Sequence, residues 1–207
     1  MKSFIVFNIV TVFVLLGLNT TQSSFSNLRI QESFCEDFIP VSLDSLTICV
    51  SADYYSKNGI RTPLGYSDAL QLADSLEMWL PTPEMVDAIY QQADIKLAPI
   101  PMPPTGEMTT RAYYIQHHQL IEKQIADSGY TNTSGKLIAG HKKDVVAINR
   151  DSKKVAIYGW HLNDSTVIQP FSTVHRRDYF DYSHGIRLIK RKALDHNGIS
   201  ILLESPY

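Results

Sequence analysis

The chain has 207 residues, 44% hydrophobic and 19% charged, with 10 Gly, 10 Pro, 2 Cys and a formal net charge of -2. The apolar content is too high for a disordered chain, and two cysteines are too few for a disulfide scaffold. The near-neutral balance argues against a dedicated nucleic-acid binder, and the length suits a single domain.

The N-terminus reads as a secretory signal peptide over residues 1–23. Lys2 is its positive region, Ile5 to Leu18 its apolar run, and Thr21-Gln22-Ser23 its cleavage site. The run is short for a membrane span, which needs about 20 apolar residues, and no later stretch is long enough. Export to the medium or periplasm implies oxidising conditions. A Cys35–Cys49 disulfide is then the expected state, closing a loop worth roughly 3 kcal/mol in the chain-entropy model. A nucleophilic Cys35 is disfavoured by Glu36 and Asp37 beside it. Cys49 lies in the strand-like Leu46–Val50.

Residues 62–130 read as helical. Ser67 can cap a first helix, with Ala69, Leu72, Ala73 and Leu76 at helical spacing. Thr82-Pro83-Glu84 marks a second start: a capping hydroxyl, Pro at the first position, then an acid. Met85, Val86, Ile89, Tyr90 and Ala93 form its apolar face. Leu97 to Pro104 has four prolines in eight residues and reads as an extended connector. A third helix is expected from Thr109 to Ser128, with the stripe Ala112, Ile115, Ile121, Ile125 and a stop at Gly129. His118 is expected beside that stripe.

Residues 136–207 read as sheet. Expected strands are Asp144–Ile148 and Val155–Trp160 joined as a hairpin, then Val167-Ile168, Ile186–Ile189 and Ile199–Leu203. Asn197-Gly198 signals the last turn. The fold class is α+β, with N-terminal helices packed on a C-terminal, mostly antiparallel sheet in one domain over residues 24–207. Asn132 and Asn163 begin N-glycosylation sequons. Charge is uneven: residues 24–135 carry -8 and residues 136–196 carry +6. That is either two differently charged faces or a basic part that meets an anionic ligand or polymer.

The densest chemistry is Ser172 to Arg187, with two His, two Asp, two Tyr, three Arg and two Ser in sixteen residues. A polar loop held by a sheet is where a site is expected. His184 is the candidate base, Asp181 its orienter, and water or Ser183 the nucleophile. An extended Ser183-His184 points its side chains apart, so the two do not pair directly. His161 is expected to join this site, with His175, Arg187, Lys143 and Tyr182 as binding groups. His141 is expected at the opposite end of the hairpin from His161. Two alternatives remain open: His161, His175 and His184 as zinc ligands, and a recognition loop without catalysis. No resident cofactor is implied, and no phosphate-binding or dinucleotide fingerprint is present.

Five stretches resemble an uncharacterised family of secreted bacterial proteins: LPTPEMVDAIY (Leu80–Tyr90), KLAP (Lys96–Pro99), GHKKDVV (Gly140–Val146), VAIYGWH (Val155–His161) and DYSHGIRLI (Asp181–Ile189). The resemblance runs from Thr62 to Ile189, about 60% of the chain, and implies an exported bacterial protein without implying an activity. Lys143–Val146 followed by Val155–Gly159 also resembles the strand order of NlpC/P60-type cell-wall peptidases. The helix expected near Met108 to Arg111 has no Cys where that family keeps its nucleophile, and Lys154 stands at its His position. That likeness therefore transfers no catalytic role. The reading is a secreted or periplasmic hydrolase of an extracellular polymer, with peptidoglycan first. The alternative is a secreted binding or structural protein.

Overall fold

The computed structural model describes residues 29–31, 33–162 and 166–207. The expected signal peptide and the Asn163 sequon lie outside them. Among the described residues no helix is long and apolar enough to cross a membrane.

The fold is α+β, built on two sheets. Strands β1 (Ile39–Leu43) and β2 (Leu46–Val50) form a hairpin. β2 pairs antiparallel with β12 (Ile189–Leu194), which also pairs with β13 (Ser200–Leu202) and with β5 (Met78–Trp79). The second sheet has the order β10 (Val167–Ser172), β9 (Ile157–His161), β8 (Lys143–Val145), β11 (His184–Gly185). Its β8–β11 pair is parallel and its other pairs antiparallel. Two short pairs complete the set: the hairpin of β3 (Ser56–Lys57) and β4 (Ile60–Arg61), and the parallel pair of β6 (Ile95–Lys96) and β7 (Ile138–Ala139).

The expected division into a helical first part and a sheet second part does not hold. β5 lies within the expected helical residues 62–130 and pairs with β12 from the last forty residues of the chain, and β1 and β2, which precede that span, join the same sheet. The disulfide Cys35–Cys49, with both residues fully buried, anchors the segment before β1 to β2.

Two helices lie on the sheets, and a third packs on the β6–β7 pair. α1 (Tyr66–Ser75) is entered from Gly65 without a side-chain cap, two residues before the expected cap Ser67. Gly65 is required there by close approach: a Cβ would lie 2.7 Å from the Asp178 backbone. Tyr66, Ala69, Leu70 and Ala73 pack on Val145 and Ile157 of the second sheet and on Ile186, which follows β11. Leu76, expected in that stripe, is exposed.

α2 (Pro83–Gln92) begins as the sequence signals, with the Thr82 hydroxyl accepting from the Met85 N–H at 3.4 Å and Pro83 in the first turn. Its Ile89 and Tyr90 join Val41, Ile48, Val50 and Ile189 of the first sheet. Its Val86 meets Gly159 of the second, so this helix spans both sheets.

α3 (Arg111–Asp127) is capped by Thr110. Its buried residues are Tyr113, His117, Ile121 and Ile125, one i, i+4 row. The expected Ala112 is exposed, and His117 rather than His118 is the buried histidine. The proline connector has no regular structure, as expected, although Leu97 and Met102 within it are buried.

The charge asymmetry is partly neutralised within the molecule. Arg150 and Arg191 both meet Asp74, and Lys190 meets Glu36. Lys142 and Arg187 are buried.

Candidate functional site

Lys143 of β8 is flanked by Gly159 of β9 and by His184 of β11. Register partners share a sheet face, so Lys143 and His184 point the same way. His184 is 1% exposed, and neither ring nitrogen has a hydrogen-bond partner among the described residues. Buried polar groups are ordinarily satisfied, so this imidazole, like that of His141, keeps its hydrogen-bonding capacity unspent among the described residues.

The Asp181–Ser183 turn delivers this histidine. Asp181 Oδ1 accepts from the Ser183 amide at 2.8 Å and from its hydroxyl at 2.5 Å, while the His184 N–H donates to the Asp181 carbonyl. The Asp181 carboxylate therefore holds Ser183 and makes no hydrogen bond to His184, contrary to its expected orienting role. Burial alone would raise Asp181. The His184 charge and the Ser183 donors outweigh it and keep the carboxyl below its ordinary range. Burial pulls His184 down, against the Asp181 carboxylate, so the ring is neutral near pH 7.

Two aromatic groups frame the cluster. Tyr179 stands edge-on to His184 at 5.8 Å and donates to Asp181 Oδ2 at 3.2 Å. His175 stacks on Tyr179 at 4.1 Å. On the other side, Lys143 Nζ lies 4.7 Å from the Trp160 ring centre. Trp160 gets there through two consecutive left-handed residues, Gly159 at φ 99° and Trp160 at φ 59°. Regular alternation from the Tyr158–Asp144 pairing would send Trp160 to the opposite face. For a bulky residue this backbone is strained, and its buried indole N–H has no partner among the described residues. Burial also lowers the Lys143 ammonium, against Asp181. Trp160 and Tyr179 were not expected as site residues. The only sequence trace of Trp160's role is Gly159 ahead of it.

The structure thus brings His175, Asp181, Ser183, His184 and Lys143 together. It does not bring in the other three. His161 Nε2 lies 2.9 Å from Asp87 Oδ1, which also accepts from the Tyr158 hydroxyl at 3.0 Å, and its ring stacks on Tyr90 at 4.3 Å. With Asp87 as its partner, His161 is no part of the His184 cluster. The zinc reading fails with it, and among the described residues no group of His, Cys, Asp or Glu is placed to hold a metal ion. Arg187 donates to the carbonyls of Ser51 and Ile138 at 2.8 and 2.7 Å and covers the Tyr54 ring. The Tyr182 hydroxyl is bonded to the Met102 backbone and pins the proline connector.

Behind β8 lies a second polar cluster. Tyr54 donates to the buried Asp144 at 2.8 Å. Burial raises Asp144 to about 6, against Arg187 and Tyr54. Lys142, fully buried, donates to the Tyr182 carbonyl at 2.5 Å and lies 3.0 Å from His117 Nδ1. Burial, with Arg61, lowers its ammonium to about 7. His141 Nε2 approaches Asp53 at 3.2 Å without hydrogen-bond alignment, and Arg61 joins Asp53 to Glu122. The expected separation of His141 from His161 is also corrected. Lys143 pairs with Gly159, so the two histidines follow at the same end of the antiparallel pair.

Comparisons with family models, with curated proteins and with solved structures give no match.

Proposed function

We propose that the protein is a hydrolase of an extracellular polymer, with peptidoglycan as the first substrate to test and His184 as its general base. The observation that carries this reading is the pair of unpartnered, buried ring nitrogens on His184 beside Lys143 and Asp181. A neutral imidazole can take a proton from water, and the ionised Asp181 stabilises the imidazolium that results. Lys143 and the Trp160 indole N–H are the donors available to a developing oxyanion. Ser183 is not the nucleophile in this scheme, because its hydroxyl is committed to Asp181. The ring is 1% exposed, so its cover must open for substrate to reach it.

The test is incubation of the mature protein, beside His184→Ala, with isolated peptidoglycan, reading soluble products by mass spectrometry. Fragments from the wild type alone support the proposal, and their masses name the bond. Equal fragments from both proteins, or none from either, overturn it. The alternative, a recognition surface without catalysis, would show both proteins sedimenting with the wall and no fragments released.

A further inference from the structure

We infer that a second cavity, formed by the β3–β4 hairpin and the first turns of α3, binds an acidic saccharide through its carboxylate. This goes beyond the proposed hydrolysis and holds whether or not His184 is catalytic. The cavity measures about 380 Å³ and is lined by Tyr55, Lys57, Asn58, Thr62, Arg111 and Tyr114, among others. That volume falls within the roughly 300–1,000 Å³ typical of small-molecule sites.

Its charge is uncompensated. Lys57 and Arg111 are exposed, and among the described residues neither has a carboxylate partner. Exposed Lys96, Lys153, Arg176 and Lys192 likewise lack a carboxylate partner among the described residues, so what sets Lys57 and Arg111 apart is that both line one cavity. Two free cations at one concavity favour an anion, and the Arg fork matches a carboxylate.

The tyrosines select the rest of the ligand. Tyr55 packs on the core cluster around α1, and Tyr114 on the cluster of Met102, Tyr113 and Tyr182. Each ring is half-buried and so held in place, with its remaining surface in the cavity. Neither hydroxyl has a hydrogen-bond partner among the described residues. A sugar ring offers an apolar face to such a ring and hydroxyls to its phenol, which an extended acidic peptide does not. The rim is firm, because the Asn58-Gly59 turn has φ 53° and 75°, the type I′ geometry of a tight hairpin.

The neighbouring cavity beyond Arg61 does not compete. It is smaller, about 170 Å³, and its Asp53 and Glu122 are already paired with Arg61.

The test is calorimetric titration of the full protein with trigalacturonate. A neutral trisaccharide and a triglutamate peptide serve as controls. The inference expects binding of trigalacturonate alone, weakened at least tenfold by Arg111→Gln and by Lys57→Gln, and also weakened by Tyr114→Ala. His184→Ala should bind as the wild type, which separates this site from the hydrolytic one. Circular dichroism confirms that each variant is folded. Absence of binding, or binding unchanged in both charge variants, overturns the inference. Equal binding of triglutamate, insensitive to Tyr114→Ala, overturns the saccharide assignment.

Discussion

Gly185→Ala is expected to destabilise the protein through the Tyr54–Asp144 contact. A Cβ at Gly185 would lie 2.5 and 2.7 Å from two carbons of the Tyr54 ring and 2.8 Å from Lys142 Cβ. The ring cannot yield cheaply. Its hydroxyl is bonded to the buried Asp144, and the Arg187 guanidinium lies 4.3 Å from its centre. Overpacking of this kind costs about 1–3 kcal/mol. Displacing Tyr54 also leaves Asp144 without its donor, about 1–3 kcal/mol more. At 2–4 °C per kcal/mol for a chain of this size, Tm should fall by roughly 10 °C, and by no less than about 4 °C. The assay is a thermal melt at pH 7 by circular dichroism. Gly106→Ala is the control, since a Cβ there meets nothing within 4 Å. A Gly185→Ala protein melting within about 2 °C of that control would mean that the Tyr54 ring yields to the added methyl group at little cost.

Asp144 should impose a pH dependence of known sign. Its carboxyl is raised to about 6 in the native state, so between its unfolded value and 6 the native state holds the extra proton. Its contribution is present in full below about pH 4 and is lost as pH rises through 6. Asp144→Asn should therefore gain on the wild type by up to about 3 kcal/mol between pH 4 and 7, read from urea unfolding at both pH values. A constant difference would show that Asp144 is not shifted. Replacing Cys35 and Cys49 together by Ala should cost about 3 kcal/mol in the same assay, because their bond closes a short loop. Thr82→Ala should cost about 1 kcal/mol through loss of the α2 cap, and Thr82→Ser should restore most of it.

The elements legible in the sequence are those set by local chemistry. Thr82-Pro83-Glu84 starts a helix because the cap, the ring and the acid act within one turn. The hairpin joining β8 and β9 and the final β12–β13 turn follow from short-range pairing, although the strand expected over Ile186–Ile189 runs instead over Ile189–Leu194. The β2–β12 pairing was not legible, because residues well over a hundred positions apart carry no periodic signature of their partnership. The polar loop marked the right place, yet it did not show which groups converge. Asp181 faces its own turn, and Arg187 spends its charge on two carbonyls. Trp160 is not legible as a site residue, because its position depends on a left-handed backbone that a residue count along the strand cannot reveal. Lys142 and His117 are hidden likewise, because a basic pair reads as surface until α3 is seen to bury it.

Nitrogen NMR of the His184 imidazole bears hardest on the proposed hydrolase. A neutral ring is expected from pH 5 to 8, since burial holds its ionisation below the ordinary value. A change in the ring nitrogen shifts is also expected when soluble peptidoglycan fragments are added. A ring that is protonated at pH 6, or one whose nitrogens are indifferent to the fragments, would contradict the proposal.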